Sequence, residues 1–135
     1  MAHSRISDIK RAQKQSQLLR ELSSYFLRIT MDDERMKDLV LNRVKLSRDK
    51  SVCTLYFYTA QGEMHFQELM PYLILYKPSM RKALAASINA RYTPQLVFKF
   101  DAAFEQQLQI DALLDKIKQE NEALEASAEE PEEQE

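Results

Sequence analysis

Three groups of cations in this chain are spaced so that each could meet phosphate oxygens. Lys10, Arg11 and Lys14 stand in a glutamine-rich opening segment, with Lys10 and Lys14 one turn apart on the same face if that segment is helical. Lys77, Arg81 and Lys82 surround Pro78, where a helix start would add unpaired N–H groups and the positive end of the helix dipole. Arg43, Lys45, Arg48, Lys50 and Lys99 fall on two strand-like segments and a turn. Any one group is more often plain solvated surface. All three on one body favour a polyanionic partner, because RNA is gripped chiefly through cations set against its backbone. Tyr56 and Tyr58 could stack on unpaired bases, although paired tyrosines on a sheet more often serve as cover.

Nothing in the sequence points to catalysis. His3 and His65 are isolated, no Cys/His cluster has metal-ligand spacing, and there is no Gly-rich phosphate loop. Asp49 and Asp101 stand where a turn and a helix cap explain them. We expect no enzyme, no cofactor and no metal. The formal net charge of −2 averages two unlike parts. Positions 119–135 hold eight glutamates and no basic residue, whereas residues 1–118 hold all 19 basic residues against the other 13 acidic ones, a balance of +6. A basic body with an acidic tail is the pattern of a nucleic-acid binder, and such tails also serve solubility alone.

The elements that must position these cations are legible from periodicity. A helix is predicted over 5–29, opened by Ser4 or Ser7, with Leu18, Leu19, Leu22, Tyr25, Phe26 and Ile29 as its apolar stripe and its first half projecting beyond the core. Strands follow near 39–47 and 51–59, antiparallel across the turn Arg48-Asp49-Lys50. Their alternation sets Cys53, Leu55 and Phe57 on one face, and Arg43, Lys45, Tyr56 and Tyr58 on the other, with Val97 and Lys99. After Gly62, the only glycine, a helix carrying Phe66, Leu69 and Leu73 is broken at Lys77-Pro78-Ser79 and resumes with Met80, Leu84 and Ile88. Pro94 forces the next helix to stop, with Arg91 and Tyr92 fixing its end, and Leu96, Phe98 and Phe100 line one face of a last strand. Asp101 can cap a final helix that frays into the glutamates. We expect one domain over 1–118 and a largely disordered acidic tail over 119–135. A chain of 135 residues suffices for an unstapled core. Cys53 reads as a small core residue in a reducing compartment, and no apolar run approaches the roughly twenty residues that span a bilayer. A cytoplasmic protein, a monomer with no membrane partner, is the expectation.

Two motifs in this order and separation carry a resemblance. Val44-Lys45-Leu46-Ser47-Arg48-Asp49, then an alternating strand and two helical segments, then Arg91-Tyr92-Thr93-Pro94-Gln95-Leu96-Val97-Phe98-Lys99-Phe100-Asp101 resembles bacterial ribosome-binding factor A over roughly residues 10 to 118. The resemblance implies an α+β, type II KH-like domain (α-β-β-α-kink-α-β), here with an additional C-terminal helix. It implies a non-catalytic factor that binds the free small (30S) ribosomal subunit and its 16S ribosomal RNA in late processing and maturation, including at low temperature. Assembly GTPases or other maturation factors are the further partners it implies. At the family's kink this chain has Lys77, Pro78 and Ser79, so Ser79 joins Lys77, Arg81 and Lys82 as a candidate contact. With no glycine there, Pro78 must impose the break. The alternative reading is a protein-interaction adaptor that binds RNA incidentally.

Overall fold

A computed structural model describes residues 2–88 and 93–133; Arg91 and Tyr92 lie outside them. Two compact units are present, residues 1–101 and residues 102–135. In the first, helix α1 (Ala2–Asp32) leads through a 3₁₀ turn (Glu34–Met36) to strands β1 (Val40–Leu46) and β2 (Val52–Tyr58). Helix α2 (Glu63–Leu73), a second 3₁₀ turn (Ile74–Tyr76), helix α3 (Lys77–Ile88) and strand β3 (Gln95–Phe100) follow. This is the element order of a type II KH-like domain. The second unit is helix α4 (Ala102–Glu133).

The sheet runs β1-β2-β3, with β1 antiparallel and β3 parallel to the central β2. Alternation places Cys53, Leu55 and Phe57 of β2 and Leu96, Phe98 and Phe100 of β3 on the buried face. One apolar cluster joins them to Leu18, Leu22, Phe26 and Ile29 of α1, Phe66, Leu69 and Leu73 of α2, and Met80 and Leu84 of α3. Phe57 is its hub, its ring 5.1 Å from Phe26, 5.4 Å from Phe98 and 6.2 Å from Phe66. Cys53 is fully buried, and burial pushes its thiol up to about 11.

In four places the structure departs from the sequence reading. First, α1 begins at Ala2, upstream of both expected caps. Second, β1 contains a bulge: Leu41 pairs with Phe57 and Arg43 with Tyr56, leaving Asn42 as an extra residue. A bulge re-aims side chains, and here both Asn42 and Arg43 reach the buried carboxylate of Asp101, from Asn42 Nδ2 at 2.9 Å and Arg43 Nε at 3.0 Å. Third, the break between α2 and α3 precedes Lys77-Pro78-Ser79. Pro78 has no N–H for the Ile74 carbonyl and its ring would clash there; Lys77 N–H donates to that carbonyl instead, tightening Ile74–Tyr76 into a 3₁₀ turn. Leu73, Ile74 and Lys77 all keep right-handed helical dihedrals, so the chain bends without a glycine-type loop. Fourth, α4 continues to Glu133, where a largely disordered segment was expected from 119; Ala, Glu, Gln and Leu are all good helix formers.

The connection after α1 is tied down by charge. Arg35 Nε and Nη2 donate to the two Asp33 carboxylate oxygens, both at 3.0 Å, and Tyr76 Oη donates to Oδ2 at 2.6 Å. The Arg35 guanidinium also lies 4.3 Å from the centre of the Tyr72 ring.

Two outcomes test these ties. Arg43→Ala, by removing the charged partner of a carboxylate that is only 1% exposed, should destabilise the fold by about 2–3 kcal/mol in urea titration, and adding Asp101→Asn should recover part of the loss. Hydrogen bonds from Arg35 and Tyr76 hold the Asp33 carboxyl well below the usual carboxylate range. A pKa depressed on folding adds stability that is complete above the unfolded value, near 4, and is lost as pH falls below it. The melting-temperature gap between the wild type and Asp33→Asn should therefore narrow as pH drops from about 4 towards 2; a constant gap would deny the carboxylate this role.

Candidate nucleic-acid interface

The turn between β1 and β2 is held by one carboxylate. Asp49 Oδ1 accepts from Ser47 Oγ at 2.8 Å, from Ser51 Oγ at 2.7 Å and from Ser51 N–H at 3.1 Å. These bonds hold the Asp49 carboxyl down to about 2. Lys50 adopts φ 63°, the left-handed region that a non-glycine residue enters only where its surroundings insist. The fixed turn presents Arg48 and Lys50, both exposed.

Pairing then collects the other cations at this end of the sheet. Leu46, the last residue of β1, pairs with Cys53, and Gln95, the first of β3, pairs with Val52. Gln95 N–H donates to Ser51 O at 2.9 Å, which sets the start of β3 beside the turn. Arg81 of α3 reaches the same corner, donating to Thr93 O at 3.0 Å and Pro94 O at 3.3 Å. On the other side, Gln15 of α1 accepts the Leu46 N–H at 2.8 Å. That bond caps the sheet edge and opens a groove of about 570 Å³ between α1 and β1, lined by Asp8, Arg11, Gln15, Arg43, Lys45 and Arg48 among others. Arg11 and Lys45, 34 positions apart in sequence, thus share one cleft.

The expected cations differ in what they have left to give. Lys45 and Arg48 line the groove and have no ion-pair partner among the described residues. Arg11 pairs with Asp8 at 3.1 Å. Arg43 is bound to Asp101 and stacks over the Tyr56 ring at 3.9 Å, so it serves the scaffold more than the sequence suggested. Lys10 and Lys14 lie on α1 outside the groove lining. Lys99 is exposed on β3. Of the α3 group, Arg81 is spent on backbone carbonyls and Lys77 sits 5.2 Å from the Phe98 ring, leaving Lys82 and Ser79 exposed. At the anticipated helix start the Lys77 N–H is taken by the Ile74 carbonyl. Tyr58 lies 6.1 Å from Phe100 and is partly buried against the core, the covering role rather than the stacking one. His65, isolated in sequence, has Nε2 3.4 Å from Asp38 and Nδ1 3.7 Å from Glu68. Among the described residues no group of three side chains could hold a metal, and no helix is long and apolar enough to cross a membrane.

This fold and this corner can be set beside known proteins. A family model described as Ribosome-binding factor A matches residues 10–114. The chain belongs to that family. The Alcanivorax borkumensis ribosome-binding factor A is 33% identical over 109 residues, covering 80% of this chain and 79% of its own. The Geotalea daltonii factor is 29% identical over 108 residues, covering 80% and 88%. Among solved structures, the crystal structure of the Thermus thermophilus factor aligns with a TM-score of 0.56 at 27% identity, over 66% of this chain and 93% of the other. A homology model of the Thermus thermophilus factor, fitted into a cryo-EM map of its complex with the 30S subunit, aligns with a TM-score of 0.51 at 27% identity, over 62% and 87%.

Sequence reasoning missed Gln15 and the sharing of one groove by Arg11 and Lys45. The available signal was a polar residue interrupting the approach to the apolar stripe of α1, three positions before Leu18. Because Arg81 closes two backbone carbonyls, Arg81→Ala should lower the melting temperature measurably, while Lys82→Ala should stay within about 0.5 kcal/mol of wild type in urea titration. Equal, negligible effects would return Arg81 to the free cations.

Proposed function

We propose that the protein binds the small ribosomal subunit through ribosomal RNA, gripping backbone phosphates with the corner where β1 ends and β2 and β3 begin. The single observation behind this is the meeting there of cations from two distant segments, Arg11 of α1 and Lys45, Arg48 and Lys50 around the β1–β2 turn, with Arg81 of α3 holding the start of β3 beside them. Family membership supports it, as does the fitting of a relative into a 30S complex. Residues 1–101 hold 17 basic against ten acidic residues, a balance of +7 that steers the body towards a polyanion. The Asp49 carboxylate prepays the ordering of the turn, so Arg48 and Lys50 lose little freedom on binding. Shape and phosphate spacing, rather than base identity, supply specificity. The role is a non-enzymatic one in late subunit maturation, in the cytoplasm and including growth in the cold.

The test uses purified small subunits and the full chain. Lys45→Ala/Arg48→Ala/Lys50→Ala should weaken binding at least tenfold at low salt with an unchanged circular dichroism spectrum. It should also flatten the dependence of log K on log salt by about 2–3, at roughly 0.7–0.9 per lost phosphate contact. Unchanged affinity and slope would remove this corner from the mechanism.

A further inference from the structure

Helix α4 carries an exposed apolar stripe. Ile110, Leu114, Ile117 and Leu124 recur at helical spacing, with Leu113 beside them, and these five side chains are 43–67% exposed. Asn121 interrupts the stripe, as a polar residue does in helix pairs that need one register. Asp111, Asp115, Glu122 and Glu125 border it on one side with Lys118 among them, and Glu120 borders it on the other, one turn after Lys116. Over Ala102–Glu133 there are two lysines against ten carboxylates, a balance of −8. A lone helix in water draws little stability from propensity, and an exposed row of Ile and Leu gains from being covered.

Charge decides what can cover it. A second copy lying parallel would set one run of glutamates against another. Antiparallel, those glutamates would meet residues 102–118, which carry two lysines against three carboxylates and offer no counter-charge. Like charges across a helix pair are unfavourable in both cases. A helix with Leu or Ile on one face and Lys or Arg along its margins would bury its stripe on Ile110, Leu114, Ile117 and Leu124 and meet carboxylates on both sides. We propose that α4 is a docking helix for a basic amphipathic helical segment of another protein. This goes beyond the RNA contact and does not rest on it, since none of the residues involved belongs to the β1–β2 corner.

The test measures binding of a fluorescent synthetic peptide to the full-length protein. The probe is built of leucine and lysine with leucines at i, i+3 and i+4 spacing; its control is a shuffled peptide of the same composition. The striped peptide should bind at least tenfold tighter than the shuffled one. Ile110→Gln/Ile117→Gln/Leu124→Gln, which keeps the charge and uses a good helix former, should remove at least tenfold of that affinity, with helicity and the melting of the body checked by circular dichroism. Equal binding of both peptides, an unaffected variant, or no binding would overturn the proposal. So would a concentration-dependent dimer in sedimentation equilibrium that the same variant abolishes, since the stripe would then belong to a second copy.

Discussion

The parallel register of β3 on β2 is the constraint on which the site depends. At one end Gln95 N–H meets Ser51 O, and at the other Asp101 N–H meets Phe57 O at 2.7 Å. Between these two bonds Leu96 lies opposite Cys53, Phe98 opposite Leu55 and Phe100 opposite Phe57, so a slip of one residue would turn every buried ring to the open face. The Asp101 carboxylate adds a lock from the far side of the sheet: it takes bonds from Asn42 and Arg43 of β1, spanning all three strands. A buried carboxylate is costly without such partners, and the bulge at Asn42 is what brings two of them to it.

With that register set, the cationic corner follows. Only when β3 starts beside Ser51 does Arg81 reach the same end of the sheet as Arg48 and Lys50, and only because Gln15 holds the end of β1 does Arg11 approach Lys45. The scaffold uses some of its cations to build the platform, Arg43 and Arg81 foremost, and leaves others, such as Lys45 and Arg48, without an ion-pair partner among the described residues. The break between α2 and α3 is made by a 3₁₀ turn and a proline rather than by glycines, and its Lys77 N–H bonds back to the Ile74 carbonyl. The charge division is equally plain, +7 over residues 1–101 and −8 over residues 102–133.

Period and punctuation made much of this readable in the sequence. The strands lie within one residue of the spans read from alternation, and Leu18, Leu22, Phe26 and Ile29 are the buried stripe of α1. The bulge was not readable, because Leu41 and Val44 are both buried only if an extra residue intervenes, and a three-residue spacing in a strand looks like noise to a two-residue period. Free and committed cations were not readable either. Lys82 and Arg81 are neighbours of similar charge, and only the placement of Thr93 and Pro94 separates their roles. The end of α4 was misjudged because charge density was weighed above helix propensity.

Amide hydrogen exchange of the full chain, free and bound to purified small subunits, bears most directly on the central claim. Binding should slow exchange across 45–51, at Arg11 to Gln15 and around Ser79 to Lys82, while α2 and the start of β1 at Val40 stay as they were. Protection confined to α2, with the β1–β2 turn unaffected, would contradict the account.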